Sequence, residues 1–343
     1  MEAQAKDLEA GRTSPTEDRN DLINMKKSSV ALLSVISNTI LVLLKLAVGI
    51  IIGSVSVISE AIHSGVDLLA AIIALLAVRA SGKPADTEHP FGHGKFENMS
   101  GTVEALLIFL AAGWIIFEAV KKLKNPEPLE EVSWGVAVML IGSAANILVS
   151  KMLFKVGKET DSVALQADAW HLRTDVYTSA GVMAGLAIIW IGRFVLPGTD
   201  LDWIDPVAAI GVALLIIKAA YKLTIESSRD LLDVSLPKDE EASIKKRIAA
   251  FAPTVRGFHR LCTRKSGSHR FIEFHMIVAP SMTIDESHRI ADMLTCSIKQ
   301  QFPGATVHIH IEPCNCHSVI KSKCNCFLNA GDKEVLLGKL LVL

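Results

Sequence analysis

The sequence predicts an α-helical membrane protein: six transmembrane helices followed by a C-terminal cytosolic α+β domain. Three observations carry that reading. Hydrophobic residues make up 50% of the 343 positions and charged ones only 21%, with a mean hydropathy of +0.38, whereas a soluble domain carries about 25% charged residues and is less apolar. The apolar excess is gathered into runs: the 49 residues from Val30 to Val78 hold only Lys45, Glu60 and Asp67 as charges, and the 19 from Val132 to Ser150 hold none. From Pro237 to Pro313 the pattern reverses, with 19 Asp, Glu, Lys or Arg residues, a soluble composition.

As a helix, a 19-residue run is roughly 28 Å long, about the hydrocarbon thickness of a bilayer. Six spans are expected at about 29–53, 55–79, 98–122, 132–154, 162–192 and 205–227. The first two form a hairpin about the uncharged turn Gly53-Ser54. The sixth opens with Asp205 as N-cap and Pro206 at the first helical position, where its missing N–H costs nothing. Orientation follows from Lys and Arg near the spans. With the N-terminus inside, the inner flanks hold Lys26, Lys27, Arg79, Lys83, Lys95, Lys151, Lys155 and Lys158, and the outer ones only Lys121, Lys122, Lys124 and Arg193. Both termini are therefore expected in the cytoplasm.

Four segments result. Residues 1–26 read as a disordered cytosolic tail, polar and without the apolar core of a signal peptide; 27–230 are the transmembrane domain; 231–313 are the cytosolic domain; and 314–343 are a Cys-rich cytosolic tail whose final apolar run, Val335 to Leu343, is too short to span a bilayer. In the cytosolic domain the pattern reads helix (Lys238 to Phe251), strand (Val255 to Lys265), strand (Arg270 to Val278), helix (Asp285 to Phe302) and strand (Thr306 to Glu312). Ser266-Gly267-Ser268 signals a hairpin and Asp285 a helix cap. This α-β-β-α-β, metallochaperone-like unit is near the lower size limit for a self-sufficient core, so oligomerisation would help it. A formal net charge of −1 argues against a nucleic-acid partner, which needs a basic excess.

The second span carries His63-Ser-Gly-Val-Asp67 and the fifth His171-Leu-Arg-Thr-Asp175. In each, His and Asp are four apart and share a helix face. Two such faces turned together offer two imidazole nitrogens and two carboxylate oxygens, a set suited to tetrahedral zinc and other borderline divalent metals. Ionisable groups inside a span are costly and face a cavity or a partner, and metal binding to these groups displaces protons. Glu60, Glu104, Asp168 and Arg173 are further charges in or near spans; Glu60 and Asp168, each three residues before a motif histidine, could support the ligands or a proton path, but hydration at helix ends is the expectation for them, and Glu104 is assigned no role. Between spans two and three, Asp86, His89 and His93 can close on one ion, since Pro90, Gly92 and Gly94 prescribe a tight path. In the last strand, period-two alternation puts Val307, Ile309 and Ile311 on the core face and His308, His310 and Glu312 on the other, where His259 and His275 can join them. His288 falls early on the second domain helix, and His269 beside the hairpin reads as solvated.

The paired His-x-x-x-Asp motifs, the loop His89-Pro-Phe-Gly-His-Gly-Lys95 and the small α+β domain together resemble the cation diffusion facilitator family of metal exporters, from about Lys27 to Pro313. The resemblance implies a homodimer of six-helix protomers in a lipid bilayer, in a bacterial inner membrane, exchanging cytosolic divalent metal for protons by alternating access. It implies a transport site of His63, Asp67, His171 and Asp175, a loop site of Asp86, His89 and His93, and a binuclear cytosolic site of His259, His275, His288, His310 and Glu312, where Glu312 replaces the more familiar aspartate. It also implies that Lys95 lies near the dimer interface and pairs with an acidic residue such as Asp233. A two-His, two-Asp transport set is associated with zinc in that family, and imidazole in place of a carboxylate disfavours oxygen-loving ions. Zinc is thus the expected cargo and the expected structural or regulatory ion, with Fe2+, Co2+ or Cd2+ as the alternative cargo.

The family pattern does not account for Cys314-Asn-Cys316 and Cys324-Asn-Cys326. On a cytosolic tail, four reduced thiolates can hold zinc or a softer metal. Cys262 and Cys296 read as buried packing residues. A membrane metalloenzyme would need an open coordination position and a general base, and the chain has no His-Glu-x-x-His motif. A non-transporting metal sensor would be expected to lack span-two or span-five ligands. The sequence therefore points to a secondary transporter rather than an enzyme.

Overall fold

The computed structural model describes residues 15–52, 55–124, 134–195 and 203–314, with side chains described at 22–51, 61, 64–124, 140–181, 203 and 206–314. The chain divides into two units: Asp21–Leu231, and Met1–Asn20 with Leu232–Leu343. The first contains α1 (Pro15–Ile52) from Asp21 onward, α2 (Val55–Ser81), α3 (Lys95–Lys124), α4 (Trp134–Glu159), α5 (Val163–Val195) and α6 (Ile204–Leu231). Residues 15–26 of the expected disordered tail are helical: Pro15 stands at the first position of α1, where its fixed φ favours a helix start. Helix α6 begins at Ile204, one residue before the expected cap Asp205. Gly53 and Ser54, the expected hairpin turn, lie outside the described residues.

Five helices carry described stretches long and apolar enough to cross a bilayer: Leu22–Ile51, Ser64–Ser81, Lys95–Lys124, Leu140–Glu159 and Pro206–Leu231. In α5 the described part holds Asp168, Arg173 and Asp175, which lower its hydropathy. Those charges are affordable because α5 is covered by its neighbours. Ala164, Leu165, Ala169 and Leu172 of α5 join Leu75, Val78, Val149 and Leu153 in one core, and Ala167 joins Ala105, Ile108, Ile216 and Ala220 in another. Lipid gives helices no hydrophobic incentive to associate, so close approach relies on small residues. Alanines supply it at Ala70, Ala74, Ala105, Ala112, Ala213 and Ala220, all buried. The outward faces present Leu43, Ile50, Leu106, Leu110, Trp114, Leu148 and Leu215, as a lipid-facing surface requires.

A polar knot ties one end of this bundle. Glu97, at the start of α3, is buried and accepts from Lys27 Nζ of α1 at 3.1 Å and from Ser81 Oγ of α2 at 2.8 Å. Its other oxygen accepts a short hydrogen bond from Ser162, just before α5.

In the second unit, α7 (Lys238–Ala249), β1 (Gly257–Ser266), β2 (His269–Val278), α8 (Ile284–Gln301) and β3 (Thr306–Pro313) follow in the expected order. The sheet order is β1-β2-β3, with β1 antiparallel and β3 parallel to β2. Ile244 and Ile248 of α7, Leu294 and Ile298 of α8, and Ile272, Phe274 and Met276 of β2 fill the core, with Val307, Ile309 and Ile311 packed against it. The cap of α8 is Thr283, in a capping box with Glu286, not Asp285. The rule that places Glu three residues after the cap decides between them. Cys262 and Cys296, expected to be buried, are exposed: both point away from the core that their strand and helix share.

Candidate metal centres

The first centre is built by α2 and α5. Asp67 and His171 are buried, and His171 Nε2 lies 3.1 Å from Asp67 Oδ1 across 104 residues of sequence. Asp175, one turn beyond His171, completes a group whose ligand atoms all lie within 4.8 Å of one another. Asn146 of α4 donates to Asp175 Oδ2 at 3.4 Å. The fourth expected member, His63, is on α2, but its side chain lies outside the described residues. Asp67 and Asp175 stand on the wall of a cavity of about 40 Å³ with Asn38, Lys45, Ser64 and Asn146, roomy enough for water or an ion.

Buried charge near this centre exceeds what was expected. Glu104 and Asp168 are fully buried, so the helix-end hydration expected of Asp168 does not apply: the interior faces of α3 and α5 enclose both. Arg173 instead lies over the Phe154 ring, 4.5 Å from its centroid. The Glu60 side chain lies outside the described residues.

The second centre is the α2–α3 loop. Asp86 Oδ1 accepts from the amides of Glu88 at 3.0 Å and His89 at 2.6 Å, folding the loop back on itself. The ring of His89 lies 3.3 Å from Asp86 Oδ1 and that of His93 3.3 Å from Oδ2. All three place a ligand atom within 4.8 Å of the others. The His89 amide bond holds the Asp86 carboxyl below its ordinary range, its histidine neighbours adding to this. The carboxylate is thus available as a ligand at neutral pH.

The third centre lies on the outer face of the domain sheet. His259 is in register with His275 and His275 with His310, so three imidazoles cross the sheet in one row. Glu312 lies 2.9 Å from His259 Nε2, 2.7 Å from His275 Nδ1 and 3.6 Å from His310 Nε2. Hydrogen bonding to His259 first, then to His275, lowers the Glu312 pKa. His259, His275 and Glu312 converge within 4.8 Å. His288 does not join them in this chain: it is exposed on α8, 3.5 Å from Asp292 one turn away. The bulge after His259, with Arg260 at φ 51°, turns the strand at this point.

Elsewhere, Lys95 donates to the Leu231 carbonyl at 3.4 Å, and Asp233 accepts from Arg264 at 3.4 Å. Cys314 is buried, and its amide extends the sheet by donating to the Val278 carbonyl at 2.9 Å. It thus ends the domain rather than opening a tail, while Cys316, Cys324 and Cys326 lie outside the described residues.

The cation efflux transmembrane domain matches residues 31–232, and the cation efflux protein cytoplasmic domain matches residues 236–314. The chain belongs to the cation diffusion facilitator family. It is a multi-pass membrane transporter for cation efflux, not an enzyme, which removes the metalloenzyme reading. An uncharacterised transporter of Synechocystis sp., sll1263, is 37% identical over 270 residues, covering 79% of this chain and 85% of the relative. The cation-efflux pump FieF of Cronobacter sakazakii is 33% identical over 288 residues, 84% of this chain and 93% of that protein. A solved structure of CzrB in its zinc form is 35% identical over 23% of this chain and 90% of that chain, with a TM-score of 0.21.

Proposed function

We propose that this transporter is a zinc/proton antiporter that works by alternating access as a homodimer in a bacterial inner membrane, with both termini in the cytoplasm. The observation that carries the reading is the convergence of Asp67, His171 and Asp175 between α2 and α5. Two carboxylates and an imidazole, with His63 one turn from Asp67, make a mixed N,O set that suits zinc better than a hard, oxygen-seeking ion. Cytosolic zinc enters between α2 and α5 and displaces protons from the ligands. In the outward-facing state, incoming protons compete for the same atoms and release the metal.

The loop and sheet centres have donor sets that fit resident zinc: Asp86, His89 and His93 in one, His259, His275, His310 and Glu312 in the other. Metal on the sheet face would tighten the dimer and bias the transport equilibrium, provided its affinity differs between the two states. Lys95 and Asp233 are proposed interface residues.

Proteoliposome flux tests the reading. Asp175→Ala is expected to abolish zinc transport, and unchanged flux removes the site assignment. His63→Asp is expected to lower the ratio of zinc to cadmium transport; an unaltered ratio removes the selectivity argument.

A further inference from the structure

Lys45 places an ammonium group where a membrane helix least accommodates one. It lies within the apolar stretch Leu22–Ile51 of α1, is only 7% exposed, and its Nζ donates to Ser64 Oγ of α2 at 2.7 Å. An ionisable group at such depth turns to a partner or to an aqueous cavity. Here the cavity is the one that Asp67 and Asp175 line, and Lys45 and Ser64 stand on its wall with them. A cation entering that space therefore meets a resident cation.

Two consequences have the same sign. A metal held by Asp67 and Asp175 is repelled by the ammonium group, since in a low-dielectric site charges act on one another strongly. Once the metal has left, the same ammonium adds a favourable interaction with the buried Asp67 and half-buried Asp175 carboxylates on the cavity wall. Both effects weaken metal binding relative to a cavity holding carboxylates alone. A carrier gains from that weakening, because a site that binds its cargo too tightly cannot unload it.

We propose that Lys45 is a built-in counter-cation of the cargo cavity: it sets metal affinity low enough for release and stabilises the metal-free carrier. The proposal rests on reading Asp67, His171 and Asp175 as the transport site.

The test is zinc flux into proteoliposomes of the full chain, resolved into KM and kcat. Lys45→Met is expected to lower the zinc KM by about tenfold to a hundredfold and to lower kcat, as unloading slows. Lys45→Arg keeps the charge and is expected to restore the native KM. Ser64→Ala removes the hydrogen bond but leaves the ammonium, and is expected to move KM less than Lys45→Met. Lys45→Gln, measured in parallel, is expected to repeat the fall in KM and keeps the test decisive if the Met variant misfolds. A KM unchanged or raised in the charge-removing variants, or lowered equally by Ser64→Ala, overturns the proposal. Asp175→Asn separates the two readings. Native flux in that variant removes the transport site and the Lys45 role with it; lost flux there, with KM unmoved by the Lys45 substitutions, removes the Lys45 role alone.

Discussion

Lys27→Met tests whether the knot around Glu97 holds one end of the helix bundle together. The Lys27 and Glu97 side chains are 2% and 1% exposed, so neither charge has water to fall back on. The Glu97 carboxylate accepts from Lys27, Ser81 and Ser162, and these bonds join α1, α2, α3 and the start of α5. Removing Lys27 takes away a charge-assisted bond and leaves a buried carboxylate without its counter-ion, a change that costs about 3–5 kcal/mol. For a unit of this size, each kcal/mol lowers Tm by about 2–4 °C, so Lys27→Met is expected to lose on the order of 10 °C in detergent-solubilised protein. Glu97→Met breaks the same buried pair from the other side and is also expected to lower Tm. The double variant carries neither charge and is expected to be more stable than the sum of the single losses by about 2–3 kcal/mol. Additive losses, or a Tm within about 2 °C of native for Lys27→Met, would refute the reasoning.

Other outcomes follow from the same geometry. Gly101→Val is expected to destabilise the bundle by about 1–3 kcal/mol, because a Cβ there meets Ser227 Oγ at 2.6 Å and Val163 Cγ1 at 3.0 Å; thermal denaturation reads it. Thr283→Ala removes the cap of α8 and is expected to cost about 1 kcal/mol in chemical denaturation of the full chain, with Thr283→Asn largely restoring it. The depressed pKa of Glu312, held down by His259 and His275, stabilises the metal-free fold above the ordinary glutamate pKa near about 4.3. That contribution is lost as pH falls through the lower folded value, so Glu312→Gln is expected to lower stability at neutral pH and to change it little in acid, which flattens the acid limb of the stability profile. Zinc titration of the full chain is expected to show fewer bound ions in Glu312→Ala than in the native protein, since that carboxylate faces all three sheet imidazoles.

Much of the architecture was legible because its signals are local. Charge-free runs marked the membrane helices, and period-two alternation placed His308, His310 and Glu312 opposite Val307, Ile309 and Ile311. The His-x-x-x-Asp spacing needed only helix geometry to put each pair on one face. Other features were not legible because they depend on what a helix packs against. Asp168 read as a hydrated helix-end charge and Glu104 had no assigned role, yet neighbouring helices enclose both. Lys45 appeared as a lone charge in a span, and only the cavity shared with Asp67 and Asp175 gives it a role. His288 joined the cytosolic histidines by resemblance but stands apart from their sheet face in the fold. The start of α1 was read as disorder because a polar helix carries no apolar stripe to announce it.

The sequence by itself determined which segments cross the bilayer, which residues share a helix or strand face, and which residue types are available to a divalent cation. These are properties of a few neighbouring residues, governed by rise per residue and side-chain period. Tertiary structure alone decided that Asp67 meets His171 at 3.1 Å, that His259, His275 and His310 fall into one row, and that Lys27 and Glu97 are buried together. Each of these joins segments far apart in the chain. Their meeting is fixed by how whole elements pack and register, which no local periodicity encodes.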